Sequence, residues 1–327
     1  MTAAAGSEVQ AVLAAGGPEL TRLLERTEDR LAEVAESHGH TLARHASGTL
    51  AAGGKRLRPI LVFLCGGDAA GDGDRLVAAA AAVELLHMAT LVHDDVLDRA
   101  SLRRGRPTVV AEGGRAAATA TGDLLFSRAF AELSSTGSAE AVRALSASSS
   151  ALVTGELMQR ADAWSSEVSP ERYLERCELK TASLFEAACR LGALFSGDMY
   201  PADSLGRFGA RIGLAFQILD DVLDVEGPTE RTGKPRGADL MDGTVTLPLI
   251  LARREDPGLD LRVVEGDPVR AEALCERIAS TGALEEAREQ ALGYVDDAKA
   301  ALDSIELPRE RRLALDLVAD AVVERYS

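Results

Sequence analysis

The feature that most constrains this chain is an acidic pentapeptide, Asp-Asp-Val-Leu-Asp, that occurs at residues 94–98 and again at residues 220–224. Each copy ends a mostly apolar run with helical spacing, 83–93 before the first copy and 212–219 before the second. On a helix, the first and last aspartates of a copy lie one turn apart, so like charges crowd one face and destabilise it. Both copies therefore need counter-charge, which hard divalent cations with oxygen ligands supply.

Two identical copies carry more information than one. A single acidic pentapeptide is typical of a solvated acidic helix end, and for one copy alone that interpretation is favoured. If both helices face one cavity, six carboxylates converge there and hold Mg²⁺, which prefers carboxylates together with substrate phosphates. The expected ligand is therefore a diphosphate. The predicted metal ligands are Asp94, Asp95, Asp98, Asp220, Asp221 and Asp224.

The composition favours helices and argues against a nucleic-acid partner. Of the 327 residues, 46 % are hydrophobic and only 4 % are aromatic, while alanine is abundant, which favours closely packed helices. The formal net charge of −16 is opposite to the cationic footprint that nonspecific nucleic-acid binding needs. We therefore expect one all-α domain over residues 1–327, with residues 1–17 flexible.

Hydrophobic periodicity predicts a series of helices and no strand. The segments 76–98 and 202–225, which end in the pentapeptides, are the expected core helices. Residues 99–108 are predicted to form a polar connector. Residues 226–243 lack any period and are rich in Gly, Pro and charge, which is typical of a functional loop. The other predicted helices are 18–37, 41–52, 60–65, 116–133, 139–161, 170–195, 246–253, 268–280, 284–305 and 309–326.

The sequence predicts a cytoplasmic protein without a transmembrane segment. Its four scattered cysteines have neither disulfide-framework nor zinc-ligand spacing, so reduced thiols in the cytoplasm are expected. The N-terminus lacks the basic segment of a signal peptide. The longest apolar run, 76–92, is interrupted by Glu84 and His87, so we interpret it as a buried core helix and not as a membrane span.

Basic side chains stand close to both pentapeptides. Taken singly, each is most simply an exposed surface charge. Together, in an acidic chain, they suit diphosphate binding, because Arg holds phosphate with a planar fork and Lys binds it as a point charge. They are Lys55 and Arg58 at a Gly-rich turn, Arg103 and Arg104 behind the first pentapeptide, Lys180 beside Thr181, and Lys234 behind the second.

Several stretches, in a fixed order, resemble one protein family. They are GGKRLRP at 53–59, ELLHMATLVHDDVLDRASLRRGRPT at 84–108, GELMQ at 155–159, KTASLF at 180–185, FQILDDVLDVEGPTERTGKPRGADL at 216–240 and TLP at 246–248. The chain resembles the trans-isoprenyl diphosphate synthases of the polyprenyl synthetase family, of the medium- and long-chain type. The resemblance implies a bundle of long helices around a central cavity.

The resemblance also implies a reaction. An allylic diphosphate ionises, the double bond of isopentenyl diphosphate attacks the resulting cation, and a proton is lost. Three Mg²⁺ ions and fixed cations are expected to stabilise the leaving diphosphate. A dry, apolar cavity protects the allylic cation from water.

By position, the resemblance assigns a role to each candidate residue. It implies that Asp94, Asp98 and Asp220 bind metal, with Asp95, Asp221 and Asp224 in supporting roles. It implies that the allylic diphosphate is bound by Arg103, Lys180 and Lys234, and isopentenyl diphosphate by Lys55, Arg58, His87 and Arg104. Thr181 and Gln217 are expected to lie near the developing cation. Without the resemblance, His87 would be interpreted as a core histidine. Arg103, Lys180, Thr181 and Gln217 form the predicted catalytic set.

One position departs from the pattern of the resembled family. Members often carry Lys in the stretch before Thr-Leu-Pro, where this chain has Thr244. The loss of one cation is expected to weaken binding of the allylic diphosphate, unless Lys234, Arg236 or Arg231 compensates. The departure bears on efficiency and not on the reaction class, because both pentapeptides are intact.

Side chains one turn before Asp94 set the first floor for a growing product, about 5.4 Å deeper along the helix. These are Ala89 and Thr90, where short-chain members of the resembled family commonly have an aromatic residue. Both are small, so we expect a product longer than farnesyl diphosphate. The next side chains that could stop it are Leu85, Leu86, Phe126 and Phe130. The alternative is closure by one of the two phenylalanines near geranylgeranyl length.

Two other functions compete with chain elongation. A terpene cyclase also uses an aspartate-rich motif, but usually with a different second motif, whereas this chain repeats the pentapeptide. A non-catalytic subunit of a heteromeric synthase is expected to lose aspartates or basic residues, and here nearly all remain. The resemblance further implies a homodimer, and a transient membrane contact is expected only during release of a long product.

Overall fold

The computed structural model describes residues 7–37, 45–46, 48–49, 54–67, 73–103, 105–197, 200–227 and 235–324. The helices are α1 (Ser7–Glu36), α2 (Leu57–Gly66), α3 (Gly73–Leu97), α4 (Val109–Ser134), α5 (Ala139–Asp162), α6 (Pro170–Cys177), α7 (Ser183–Leu194), α8 (Ala202–Glu226), α9 (Ala238–Met241), α10 (Leu247–Ala252), α11 (Pro268–Ala279), α12 (Ala283–Leu302) and α13 (Arg309–Glu324). Two short strands are β1 (Leu102–Arg103) and β2 (Arg106–Pro107). A π-helical turn, Glu178–Ala182, joins α6 to α7, and a 3₁₀ turn spans Leu261–Val263. The prediction of an all-α fold is confirmed.

The two helices that carry the pentapeptides form the centre of the bundle. Helix α3 packs mainly on α4, and α8 packs mainly on α7 and α12. Helix α3 is long and apolar enough to cross a membrane, but 78 % of its most apolar stretch is buried inside the protein. This burial agrees with its interpretation as a core helix. Each pentapeptide therefore ends a buried helix, which brings carboxylates to the edge of a low-dielectric interior.

The prediction of a flexible N-terminus is wrong for residues 7–17. They form the first part of α1, in which Val9 and Val12 are buried. The helix kinks at Gly17, whose φ of 75° lies in the left-handed region, just before Pro18. Small side chains gave no clear period, but α1 packs against α13, and this tertiary contact stabilises the segment. Residues 1–6 lie outside the described part of the chain.

The connector 99–108, predicted as a polar coil, contains a β-hairpin. Strands β1 and β2 pair antiparallel, with Leu102 opposite Pro107 and Arg103 opposite Arg106. Gly105 takes a φ of 74° in the turn, which a side chain would disfavour. Thr108 then caps α4, because its hydroxyl accepts a bond from the Ala111 amide and donates one to the Ala100 carbonyl. The hairpin fixes the position of Arg103 relative to the first pentapeptide.

Three other predictions differ in detail from the structure. The predicted helix 170–195 is interrupted by the π-turn. Helix α4 begins at Val109 and not at residue 116, with a kink at Gly114. The loop predicted over 226–243 contains helix α9 near its end, and residues 228–234 lie outside the described part. Most of the predicted helix 41–52 also lies outside the described part; its described residues, 45–46 and 48–49, are helical.

Close packing of α7 on α2 gives a test of the fold. A Cβ added at Gly192 would lie 2.3 Å from the Val62 carbonyl oxygen and 2.9 Å from the Cys65 Cβ, so Gly192→Ala must push the two helices apart. We expect it to lower the free energy of unfolding by about 1–3 kcal/mol in urea denaturation. Gly293→Ala on α12 is the matched control, because no atom lies within 4 Å of its added Cβ. The control should gain roughly 0.5–1 kcal/mol of stability; equal stability of the two variants would contradict the packing.

Candidate active site

The candidate site is organised around the π-turn Glu178–Ala182, which carries Lys180 and Thr181. Single π-turns inserted in α-helical segments are frequently found at functional sites. Two glycines let the neighbouring helices approach the backbone of this turn. A Cβ added at Gly155 on α5 would lie 2.5 Å from the Lys180 amide nitrogen, and one at Gly213 on α8 would lie 2.6 Å from the Ala182 Cα. The turn is therefore held directly between α5 and α8.

Lys180 links the π-turn to α5 and to the first pentapeptide. Its Nζ lies 2.5 Å from the Glu156 Oε2 on α5. Its charge also acts on Asp94, which faces Glu156, Asp98 and Arg103 as well. Arg160, one turn after Glu156, joins the Glu156 Oε1 at 2.6 Å and the Asp98 Oδ1 at 2.5 Å. Acidic and basic side chains thus alternate from Asp98 to Lys180.

The carboxyl groups of this cluster respond in opposite ways to their surroundings. Burial raises the pKa of Asp94 to about 6; Lys180 opposes the shift, and Glu156 and Asp98 add to it. Burial would also raise the pKa of Glu156, but the charge of Lys180 and the hydrogen bonds from Lys180 and Arg160 hold it below the usual value. Asp94 therefore lacks enough positive charge around it, which fits a carboxylate that receives a cation.

The second aspartate of the first pentapeptide is bound by the protein itself. Asp95 is 4 % exposed, and its Oδ1 accepts a hydrogen bond from the Arg103 Nε at 2.8 Å and forms an ion pair with the Nη2 at 2.7 Å. The β-hairpin places the guanidinium there, so Arg103 bridges Asp95 and the neighbourhood of Asp94. Arg104, the adjacent candidate, lies outside the described residues.

The second pentapeptide is built in the same way. Asp221 is buried and accepts hydrogen bonds from the Tyr173 hydroxyl at 2.7 Å and the Gln217 Nε2 at 2.8 Å. Burial, followed by the nearby Asp239 charge, raises the pKa of Asp221 to about 7, although both hydrogen bonds oppose the shift. Asp224 accepts the Asp239 amide at 3.2 Å. Asp220 is half-buried, one residue before Asp221.

Thr181 and Gln217 extend this hydrogen-bonded chain to the π-turn. The Thr181 hydroxyl donates to the Gln217 Oε1 at 2.7 Å, while the amide of Gln217 donates to Asp221. The two adjacent residues of the turn therefore reach opposite pentapeptides, Lys180 toward the first and Thr181 toward the second. In this way the structure brings together candidates from four separate parts of the sequence.

The residues that the resemblance assigns to isopentenyl diphosphate are less closely grouped. His87 lines a cavity of about 200 Å³ beside Arg103 and Arg106. Lys55 and Arg58 are half-buried just before and at the start of α2, and do not line this cavity. The Arg58 guanidinium lies 4.3 Å from the centre of the Phe185 ring on α7. Lys234 lies outside the described residues.

Thr244 follows a tightly packed glycine. Gly243 has a φ of 77°, and a Cβ there would lie 2.2 Å from the Trp164 ring. The amide of Thr244 donates to the Asp239 carbonyl at 2.8 Å. Of the cations expected to compensate for the missing lysine, Arg236 is bound to Glu272 and Glu276 on α11 and to the Val225 carbonyl. The prediction for Arg236 is therefore not supported, and Lys234 and Arg231 lie outside the described residues.

The chain-length candidates lie on different faces of α3. Leu86 and Ala89 are fully buried, whereas Thr90 is half-buried. Because successive helical residues turn by about 100°, Thr90 lies about 40° from Asp94 around the axis and Ala89 about 140° away. Thr90 is thus the small residue directly beneath Asp94. Phe126 and Phe130 on α4 stack on each other with ring centres 5.4 Å apart.

Three site residues were missed from the sequence. Glu156 lies within the GELMQ stretch but received no role, and Arg160 and Tyr173 were not considered. Their signal is spatial: each binds an aspartate or lysine that lies 24 to 62 residues away in the sequence. Arg56, inside the basic turn, instead has a structural role, since it pairs with Glu28 and Glu84.

The donor set suits Mg²⁺ bound jointly with a phosphate ligand. Among the described residues, no group of three or more acidic, histidine or cysteine side chains is arranged to hold an ion alone. Mg²⁺ typically takes one or two carboxylates plus substrate phosphates and water, and Asp94 with Asp98 one turn later provides such a pair. The raised pKa of Asp94, which is half-buried and only partly compensated by Lys180 and Arg103, fits this use.

Comparison with known proteins identifies the family. A family model described as polyprenyl synthetase matches residues 40–273. Heptaprenyl diphosphate synthase component 2 of Geobacillus stearothermophilus is 38 % identical over 298 residues, which cover 90 % of this chain and 93 % of that protein. Geranylgeranyl diphosphate synthase of Methanosarcina mazei is 38 % identical over 283 residues, covering 84 % of this chain and 86 % of that protein.

A solved structure shows the same fold. The polyprenyl synthase from Caulobacter crescentus CB15, complexed with calcium and isoprenyl diphosphate, is similar with a TM-score of 0.88 and 34 % sequence identity, covering 100 % of both chains. The arrangement of long helices around a central site is therefore that of known polyprenyl synthases. The resemblance stated from the motifs is confirmed.

The raised pKa of Asp94 predicts a pH-dependent affinity for divalent cations. Below a pH of about 6 the buried carboxyl is protonated, and a protonated carboxyl binds no cation, so the affinity for Mn²⁺ should fall by up to tenfold per pH unit. Calorimetric titration without substrate at pH 5.0, 5.5, 6.0 and 6.5 measures this slope. Asp94→Asn is the control, because Asp221 titrates in both proteins. Identical slopes in wild type and variant would contradict the role of Asp94.

Proposed function

This chain belongs to the polyprenyl synthetase family, and on that premise we propose that it condenses isopentenyl diphosphate with an allylic diphosphate to give an all-trans polyprenyl diphosphate longer than farnesyl. The observation that carries the proposal is the π-turn. Its Thr181 reaches Asp221 through Gln217, and its Lys180 reaches Asp98 through Glu156 and Arg160. Relatives of both heptaprenyl and geranylgeranyl type, each with a product longer than farnesyl, support this reaction class.

In the proposed site the aspartates divide into two groups. Asp94, Asp98 and Asp220 would hold Mg²⁺, three ions per site. Asp95, Asp221 and Asp224 would have supporting roles, because they accept hydrogen bonds from Arg103, Tyr173 and the Asp239 amide. Mg²⁺ held by these residues would neutralise the charge that develops on the leaving diphosphate. Calcium in the related polyprenyl synthase supports a divalent-cation site.

Fixed cations position the two substrates. Lys180, held by Glu156, and Arg103, held by Asp95, have fixed orientations and bind the allylic diphosphate together with Lys234. Because their partners hold these groups before substrate arrives, little reorganisation is needed when the carbon–oxygen bond breaks. Isopentenyl diphosphate is bound by the remaining predicted residues, which are Lys55, Arg58, His87 and Arg104.

Thr181 and Gln217 stabilise the allylic cation. The Thr181 hydroxyl donates a hydrogen bond to the Gln217 Oε1, so its oxygen presents lone pairs and not the hydrogen to the other side. Buried apolar side chains on α3 and α8 would keep water away from the cation. The double bond of isopentenyl diphosphate attacks the cation, a new carbon–carbon bond forms, and a proton is lost.

The proposed function is tested by incubation with Mg²⁺, isopentenyl diphosphate and a labelled allylic primer. Chromatography should show all-trans polyprenyl diphosphates longer than farnesyl, and a chelator should abolish them. A cyclic hydrocarbon would identify a terpene cyclase. Turnover that appears only after a second protein is added would identify a subunit of a heteromeric synthase, as the words "component 2" in one relative's name allow.

Metal-binding roles predict the effect of removing one carboxylate. Asp220→Ala should lower kcat at least about 1000-fold, because the variant lacks one carboxylate that holds the charge-stabilising metal. Its helical circular dichroism should be unchanged. Asp296→Ala on the exposed face of α12 is the matched control and should behave as wild type. Wild-type kcat in Asp220→Ala would remove that residue from the proposed site.

The angular position of Thr90 predicts which substitution shortens the product. Thr90→Phe places a ring directly beneath Asp94 and should shift the products toward farnesyl length in chromatography. Ala89, the other residue predicted as the first floor, lies farther from Asp94 around the helix, so Ala89→Phe should shorten the product less. An unchanged product distribution in Thr90→Phe would place the end of the cavity elsewhere, for example at the Phe126–Phe130 pair.

Assembly and location are also proposals. Val153 and Leu157 on α5 are 55 % and 65 % exposed, and this apolar face supports a homodimer. Light scattering on the purified chain measures its mass. All four cysteines are buried thiols, which supports a reducing cytoplasm. A membrane contact is proposed only for release of the product.

A further inference from the structure

Arg160 lies between the first pentapeptide and the π-turn and contacts Asp98 of the pentapeptide and Glu156, the partner of Lys180. Its Nη2 lies 2.5 Å from the Asp98 Oδ1, and its Nε lies 2.6 Å from the Glu156 Oε1. Asp98 is one of the two proposed metal ligands of α3, and Glu156 holds Lys180. The guanidinium of Arg160 therefore competes for the Asp98 carboxylate with any metal ion that binds there.

The two bonds of Arg160 differ in their surroundings. The Glu156 side chain is 14 % exposed and also bound to Lys180, so the Nε end of the guanidinium is anchored. The side chains of Arg160 and Asp98 are 37 % and 33 % exposed, so the Nη end lies at the open edge of the site. A guanidinium has five N–H donors, and these two contacts use two of them.

A divalent cation on Asp98 changes the balance at this edge. Asp98 would then be neutralised twice, by the ion and by Arg160, and the two positive charges would repel each other. The guanidinium would then remain anchored at Glu156 while its Nη groups leave Asp98. A diphosphate bound to the same ion brings oxygens next to Asp98, and Arg binds phosphate oxygens through paired N–H groups.

We propose that Arg160 binds the allylic diphosphate, and that it occupies Asp98 only while no metal and diphosphate are present. This inference rests on the proposed function, because it assumes a diphosphate at the first pentapeptide. Glu156 then has a second role, because it orients both Lys180 and Arg160 toward the same ligand. Arg103 and Lys180, held by Asp95 and Glu156, and Arg160, which turns from Asp98 to the diphosphate, then surround this ligand from the hairpin, the π-turn and α5.

The competing explanation is a structural one, in which Arg160 only ties the end of α3 to α5. The two explanations predict opposite changes in metal binding. If Arg160 is a competitor for Asp98, its removal strengthens binding of a divalent cation alone and weakens binding of a diphosphate. If it is a tie between helices, its removal loosens the site and weakens both.

The experiment compares Arg160→Leu with wild type by calorimetry, using Mn²⁺ alone and then inorganic pyrophosphate in excess Mg²⁺. We expect the Kd for Mn²⁺ to fall about two- to fivefold, the range for loss of one partly exposed ion pair. The Kd for pyrophosphate should rise about tenfold or more, as for loss of a charge-assisted hydrogen bond. Kinetics with an allylic primer should show the same rise in KM for the primer, with KM for isopentenyl diphosphate unchanged.

Two further variants complete the test. Arg160→Lys keeps the charge without the fork and should fall between Arg160→Leu and wild type. Arg143→Leu removes an exposed arginine from the same helix and should match wild type in every measurement. Thermal unfolding of each variant shows whether the fold is retained.

The outcomes separate the inference from the function on which it rests. If wild type binds pyrophosphate and elongates the primer, but Arg160→Leu binds pyrophosphate equally well, the inference is wrong and the proposed function stands. Weaker binding of both Mn²⁺ and pyrophosphate in Arg160→Leu would support the structural tie and overturn the inference. If wild type itself neither binds pyrophosphate nor elongates the primer, the proposed function fails.

Discussion

Burial of carboxylates at the edge of a low-dielectric interior is the constraint on which the rest of this structure depends. Two apolar helices, α3 and α8, each end in three aspartates, and burial raises the pKa of Asp94 to about 6 and that of Asp221 to about 7. The fold therefore has to supply positive charge and hydrogen bonds at two points. It does so from elements that lie between them: the hairpin, the π-turn and the end of α5.

The two pentapeptides are handled in the same way by different side chains. In each, the second aspartate is bound by the protein, Asp95 by Arg103 and Asp221 by Tyr173 and Gln217. The aspartates beside them lie nearer the open part of the site. The proposed division between metal-binding and supporting carboxylates follows their burial, because Asp95 and Asp221 are buried whereas Asp94 and Asp220 are half-buried. Gly155 and Gly213 let the π-turn lie directly against α5 and α8, so that Lys180 and Thr181 come close to the two pentapeptides.

Much of the fold followed from local patterns. The core helices were predicted to within a few residues, since long apolar runs with helical period have few alternatives. The β-hairpin, the helical residues 7–17 and the π-turn were missed. The hairpin is two residues per strand, too short for a periodic signal, and the first helix depends on packing against the last one. The π-turn spans only five residues, too few to show a period of its own in the sequence.

The sequence by itself determined the chemistry: six aspartates in two copies of one pentapeptide, with Lys180, Thr181 and Gln217 in motifs that resemble one family. These features are contiguous in the chain, so they can be recognised without knowing the fold. Only the tertiary structure decided which carboxylates are bound by the protein and which cations oppose them. Arg160 lies 62 residues from Asp98, and Tyr173 lies 48 residues from Asp221. Such pairs form because helices distant in sequence pack side by side, and no local pattern specifies which of their faces meet.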